Sequence, residues 1–193
     1  MYGEANKHST VIKNLNQEFL RELEKKFDNS ISEEFYKKIS LKFQQNFNDS
    51  TTPKFEELWV EVKKFYLMKY ISPNTPMFSQ DVDEIWHIMI LFTRNYEEFT
   101  RRFYGEMLHH DPNLTPHVDV KSRSWFEWLY LNMFTLDKFS WKIWGGFLRV
   151  NIHDEFQKKS DKELFFNDMM RSSLKSGVAS KKFIDFLYLK LTN

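Results

Sequence analysis

Residues 82–112 read VDEIWHIMILFTRNYEEFTRRFYGEMLHHDP. At about 100° per residue, Ile85, Met89, Phe92, Tyr96, Phe99 and Phe103 fall on one narrow stripe, with spacings of four, three, four, three and four. That periodicity predicts an amphipathic helix with a face to bury. The phase holds through Thr93, so the helix either continues there or breaks without losing register.

The same punctuation recurs on both sides. Thr10 precedes Val11, Leu15, Phe19, Leu23 and Phe27, which share a stripe. Ser30 with Glu33 reads as a capping box before Phe35, Ile39 and Phe43. Thr52-Pro53 opens a helix carrying Phe55, Leu58, Trp59, Val62, Phe65 and Tyr66. Residues 72–76 read as a turn, and Ser79, Ser124, Ser160 and Ser180 as further helix starts. Gly145-Gly146 is expected to break one helix and Gly177 to end another. The C-terminal segment, residues 181–191, sets Phe183, Phe186 and Leu187 on one side, to pack on the body. No repeat or long linker divides the chain. The expectation is an all-α fold: a single globular domain, residues 1–193, of about seven or eight helices.

Composition agrees. With 193 residues, 41% of them apolar, the chain can build a core without staples. Only 5 Gly and 5 Pro disfavour a turn-rich β fold. The net charge of +1 makes nucleic acid an improbable partner. The absence of cysteine excludes disulfides, thiolate zinc sites and a cysteine nucleophile. No apolar run follows Met1, and the apolar stretch 125–148 is interrupted by Glu127, Asp137, Lys138 and Lys142. A soluble, cytoplasmic protein without a membrane span is therefore expected.

Chemistry concentrates on the polar residues of 82–112. Asp83, His87, Arg94 and Arg101 line up opposite the apolar stripe, with Glu98 close by. Arg94, Glu98 and Arg101 read as a solvated face. His87 has Ile85, Trp86, Ile88, Met89, Ile90, Leu91 and Phe92 around it, which predicts burial and the need for a partner. Asp83 is one turn back on the same side. The pair is either a structural hydrogen bond or a ligand or acid/base pair. A second cluster follows: His109, His110, Asp111 and Pro112, then His117 and Asp119. Nitrogen and oxygen donors without sulfur suit Zn, Fe, Mn or Ni. On one unbroken helix His87 and His109 would be about 33 Å apart, so a shared site requires a break near Thr93 or a second subunit. No H-E-x-x-H, phosphate-binding glycine loop or G-x-S-x-G elbow is present.

The stretch resembles the hallmark of the glycine-rich domain-containing protein-like family, whose bacterial members carry V-D-E-x-W-H and, further on, H-H-x-P. The matching residues are Val82, Asp83, Glu84, Trp86, His87, Ile90, Leu91, Thr93, Arg94, Tyr96 and Phe99, then Gly105, His109, His110 and Pro112. Thr100 stands where many relatives have cysteine, and no glycine-rich extension is present. The resemblance implies that the Asp-His and His-His elements belong together. It implies no activity.

Two functional readings follow. The first is a binding or interaction protein, of the regulator or immunity type, acting through a protein partner. Its docking surface would be the aromatic region holding Trp125, Trp128, Trp141 and Trp144, since tryptophan dominates interface hot spots. The same region also reads as core. The second is a metal-dependent enzyme, a hydrolase or oxygenase. Asp83, His87 and one or both of His109 and His110 would hold a divalent Zn, Fe or Mn ion, with Glu84 as base.

Overall fold

The computed structural model describes residues 17–47, 53–110, 120–146, 148, 151–176 and 179–193. Along them run α1 (Gln17–Ser30), α2 (Glu33–Asn46), α3 (Phe55–Ile71), α4 (Gln80–Leu91), α5 (Thr93–Tyr104), α6 (Val120–Met133), α7 (Lys138–Trp144), α8 (Ile152–Glu155), α9 (Lys159–Met169), α10 (Arg171–Ser176) and α11 (Lys181–Thr192). No strand occurs among the described residues, so the all-α expectation holds. There are 11 helices rather than seven or eight. The excess comes partly from α8 and α10, of 4 and 6 residues, too short for a 3.6-residue period to show. None of these helices is long and apolar enough to cross a membrane.

Several starts fall where expected. The Ser79 hydroxyl accepts from Val82 N–H at the head of α4, and the Ser180 hydroxyl from Phe183 N–H at the head of α11. Others move. The cap of α2 is Ser32, accepting from Phe35 N–H, while Ser30 closes α1 by donating to the Lys26 carbonyl. Ser124 and Ser160 lie inside α6 and α9, and α3 begins two residues after Pro53. Asp137 caps α7 through Ser140 N–H. Gly145 ends α7 as expected. Thr10, Val11, Leu15, Thr52 and Gly177 lie outside the described residues.

The core is organised around α3. It packs on α1, α2, α4, α6 and α7, and 12 of its 17 residues are buried, with exposure confined to Glu56 and Glu57 in its first turn. Two of its three buried charges are resolved together. Glu61 and Lys64 pair at 2.9 Å, almost wholly out of water. Glu61 Oε1 also accepts from the Ser140 hydroxyl at 2.8 Å. Its Oε2 accepts from Tyr130 at 2.9 Å and from Trp144 Nε1 at 2.8 Å. Lys64 donates to Tyr130 and Ser140 in turn. Burial, with Glu61 beside it, pushes the Tyr130 phenol far above its usual range, so it stays a donor. The third buried charge, Lys63, reaches α1 at Asp28, 2.7 Å away.

Removing one member of a buried pair strands the other. Glu61→Leu is therefore expected to cost about 3–5 kcal/mol in chemical denaturation, and Glu61→Leu combined with Lys64→Met to recover most of that loss. A single-variant cost under about 1 kcal/mol would mean that water reaches Lys64.

Candidate metal and ligand site

The 82–104 stripe is buried as read, but its helix is broken at Phe92, whose φ of −91° and ψ of 59° leave the helical region. The Phe92 N–H reaches back only three residues, to Met89, and α5 starts afresh at Thr93. Met89 and Tyr96 on either side keep their places in the core. Arg94, Glu98 and Arg101 are solvated, as expected. Gly105 then ends α5 at φ +89°, a left-handed cap that side chains rarely adopt. The chain turns back, and Tyr96 holds it: its hydroxyl accepts from Trp86 Nε1 at 2.8 Å and donates to the Leu108 carbonyl at 2.7 Å. Burial pushes the Tyr96 phenol up to about 12, so it remains a neutral donor near neutral pH.

This return brings His110 onto α4. His110 Nε2 lies 2.8 Å from Asp83 Oδ1, and His87 Nδ1 lies 3.5 Å from Asp83 Oδ2. The two imidazole centroids are 4.7 Å apart, and the His110 ring also packs 4.3 Å from Trp86. Asp83, His87 and His110 each offer one donor atom, all within 4.8 Å of one another. Ligands about 2 Å from a tetrahedral ion sit roughly 3.4 Å apart, so a small adjustment closes the set. The exposed His87 has room to make it.

The histidines are not placed as their sequence surroundings suggest. His87 is 51% exposed and His110 only 11%. Of the apolar neighbours of His87, Ile85, Trp86, Ile88 and Met89 are buried on other faces of α4 while Leu91 is exposed, and position 87 opens on a cavity. His109 lines that cavity but does not join the three-donor group. Glu84, about 100° further round the helix than Asp83, is not among the residues that line the cavity. Asp111, Pro112, His117 and Asp119 lie outside the described residues.

The cavity, of about 670 Å³, is walled by the 73–80 segment, by Asp83, Trp86 and His87 of α4, by residues 108–110 and by Lys69 of α3. Nothing in the sequence singled out Lys69. Its ammonium donates to the Pro73 and Thr75 carbonyls at 2.8 and 3.1 Å and stands 5.8 Å from the Trp86 ring. Among the described residues no carboxylate pairs with it. Burial lowers its pKa to about 8.

The family model described as UCP032817-like matches residues 15–124, more than half of the chain. The chain belongs to the UCP032817-like family. This finding overturns the resemblance to the glycine-rich domain-containing protein-like family, which no match supports. No curated protein and no solved structure matches the chain. The UCP032817-like region contains Asp83, His87, His110 and Lys69, whereas α7 to α11 lie beyond it. The family is uncharacterised, so membership carries kinship without an activity.

The aromatic region of this UCP032817-like chain is mostly interior. Trp125, Trp128 and Trp144 are buried, with Trp125 Nε1 donating to the Ser72 hydroxyl and Trp144 Nε1 to Glu61. Of the four tryptophans expected at a docking surface, Trp141 alone is exposed, at 45%. Three of the proposed anchors are already used by the core.

Tyr96→Phe removes the hydroxyl shared by Trp86 and Leu108. An expected loss of about 1–3 kcal/mol would be read by denaturation, with faster amide exchange after Gly105. A second measurement concerns Lys69. The folded chain releases its proton near pH 8, the unfolded chain near 10.5. In that window the unfolded state binds more protons, so Lys69 makes stability rise with pH. Lys69→Met should flatten that rise in denaturation series run from pH 7 to 9.5.

Proposed function

We propose that this domain binds a divalent transition metal through Asp83, His87 and His110, and uses it on a small molecule held in the adjoining cavity. The observation that carries this reading is the convergence of the three donors within 4.8 Å from two segments that the chain must break and reverse to bring together. Two imidazole nitrogens and one carboxylate oxygen form a donor set used for zinc and for non-haem iron. Three protein ligands leave further coordination positions free for water or a ligand oxygen. A metal there would lower the pKa of bound water and polarise that oxygen. The residues would supply the rest. Asp83 orients both rings, Trp86 walls the His110 ring, and the Tyr96 clamp fixes the loop that delivers His110.

The test is a zinc titration, by calorimetry, of the untagged full-length chain stripped with chelator. One equivalent should bind. Asp83→Asn and His110→Ala should each weaken it at least tenfold. His87→Ala should weaken it too, while shifting stability by no more than about 0.5 kcal/mol, because the side chain is exposed. No stoichiometric binding, or variants that bind as well as the parent, would exclude the metal reading.

A further inference from the structure

We propose that the cavity takes a small organic anion, whose carboxylate or phosphate group sits on Lys69 while another oxygen of the same molecule completes the coordination of a metal on Asp83, His87 and His110. This assignment rests on the metal reading above and adds the ligand class to it.

The starting observation is a lysine that pairs with no carboxylate among the described residues. Lys69 lines the cavity with its ammonium fixed by two backbone carbonyls. Those bonds use two of its three protons, leaving one for a ligand. A half-buried cation held without an acid beside it costs stability unless an anion joins it. The depressed Lys69 pKa shows that cost, yet near pH 7 the group is still mostly charged. The two buried lysines of α3 differ: Lys63 has Asp28 and Lys64 has Glu61. Lys69 is the lysine in the lining of this cavity.

The second observation is the Thr75 hydroxyl. Thr75 is buried in the same wall, and its Oγ1 has no hydrogen-bond partner among the described residues. A buried hydroxyl left unpaired is uncommon and costs free energy. A ligand oxygen beside Lys69 would give it one.

The third is distance. Lys69 Nζ is 5.8 Å from the Trp86 ring centre, and that centre is 4.3 Å from the His110 ring centre. Lys69 and His110 are therefore separated by at most about 10 Å, the sum of the two. A molecule of a few carbon atoms spans that distance, with the indole of Trp86 in the same wall. The reach suits a short dicarboxylate or a phosphate monoester and is too small for a polymer.

The proposal is tested on the zinc-loaded full chain by calorimetry with succinate, phenyl phosphate and neutral succinamide. At least one of the two anions should bind, and succinamide should not; which anion binds more tightly separates carboxylate from phosphate recognition. Lys69→Met should weaken that anion at least tenfold while zinc affinity stays unchanged, and Lys69→Arg should retain most of the binding. If Lys69→Met does not fold, Lys69→Gln, which keeps N–H donors for the two carbonyls, carries the same expectation. Zinc that binds while neither anion does, or anion affinity that is unaffected by loss of the Lys69 charge, overturns the ligand assignment and leaves the metal reading standing. Zinc that fails to bind removes both.

Discussion

The Glu61 carboxylate is the point at which α3, α6 and α7 are held to one another. It accepts from Lys64 on its own helix, from Tyr130 on α6, and from Ser140 and Trp144 on α7. A carboxylate in the centre of a helical core is tolerable only when its oxygens are saturated with donors. Saturation imposes a geometry: the three helices must approach with those side chains in those places. The apolar contacts around it are non-directional and could be met by other packings of the same aromatic residues. The polar network selects among them. With α3 so fixed, its other end carries Lys69 to the cavity and its middle supports α4 through Phe65 and Tyr66 against Trp86.

The candidate site depends on a second constraint, the interruption at Phe92. An unbroken helix from Gln80 to Tyr104 would carry the chain some 36 Å away at about 1.5 Å per residue, and His110 would have no route back to Asp83. Breaking after Leu91 lets α5 turn back along α1 and against α4. Because the break preserves the apolar phase, it leaves the burial of Met89 and Tyr96 intact. The Tyr96 hydroxyl, on the far side of the break, then ties Trp86 before it to Leu108 after it.

What the sequence makes legible is what repeats. The stripe from Ile85 to Phe103, the caps at Ser79 and Ser180 and the stop at Gly145 each carry a local signature that the fold respects. The Asp83–His87 spacing and the requirement for a break near Thr93 were also readable, because helical geometry alone imposes them. Three things were not. Glu61 and Lys64, three residues apart, look like any solvated pair, and only the partners arriving from 66 to 83 positions away show that they are internal. His87 sits among apolar neighbours yet faces the opening, since neighbours in sequence on a helix point in other directions. Lys69 has no local mark at all: its meaning comes from burial beside a cavity formed by the 73–80 turn. Non-local pairing and exposure are properties of the assembled chain, and periodicity does not encode them.

The two ionic centres differ in how fully their groups are satisfied by the chain itself. Around Glu61 every oxygen and every lysine proton has a protein partner, the atoms are sealed from water, and nothing is left for a ligand. Such a network lowers its energy by staying closed. Around Asp83 and Lys69 the accounts are open. One carboxylate is shared between two imidazoles, one of them half in water, and one ammonium rests on carbonyl dipoles with no acid beside it among the described residues. A cation with no acid beside it costs stability, and a bound anion would offset that cost. If burial of Lys69 served the fold alone, an apolar residue there would do so at less cost, and the carbonyls of Pro73 and Thr75 would be free to find water at the rim. An ammonium held in place, in a cavity that also gathers three metal-type donors, is the arrangement expected of a site whose remaining partners come from outside the chain.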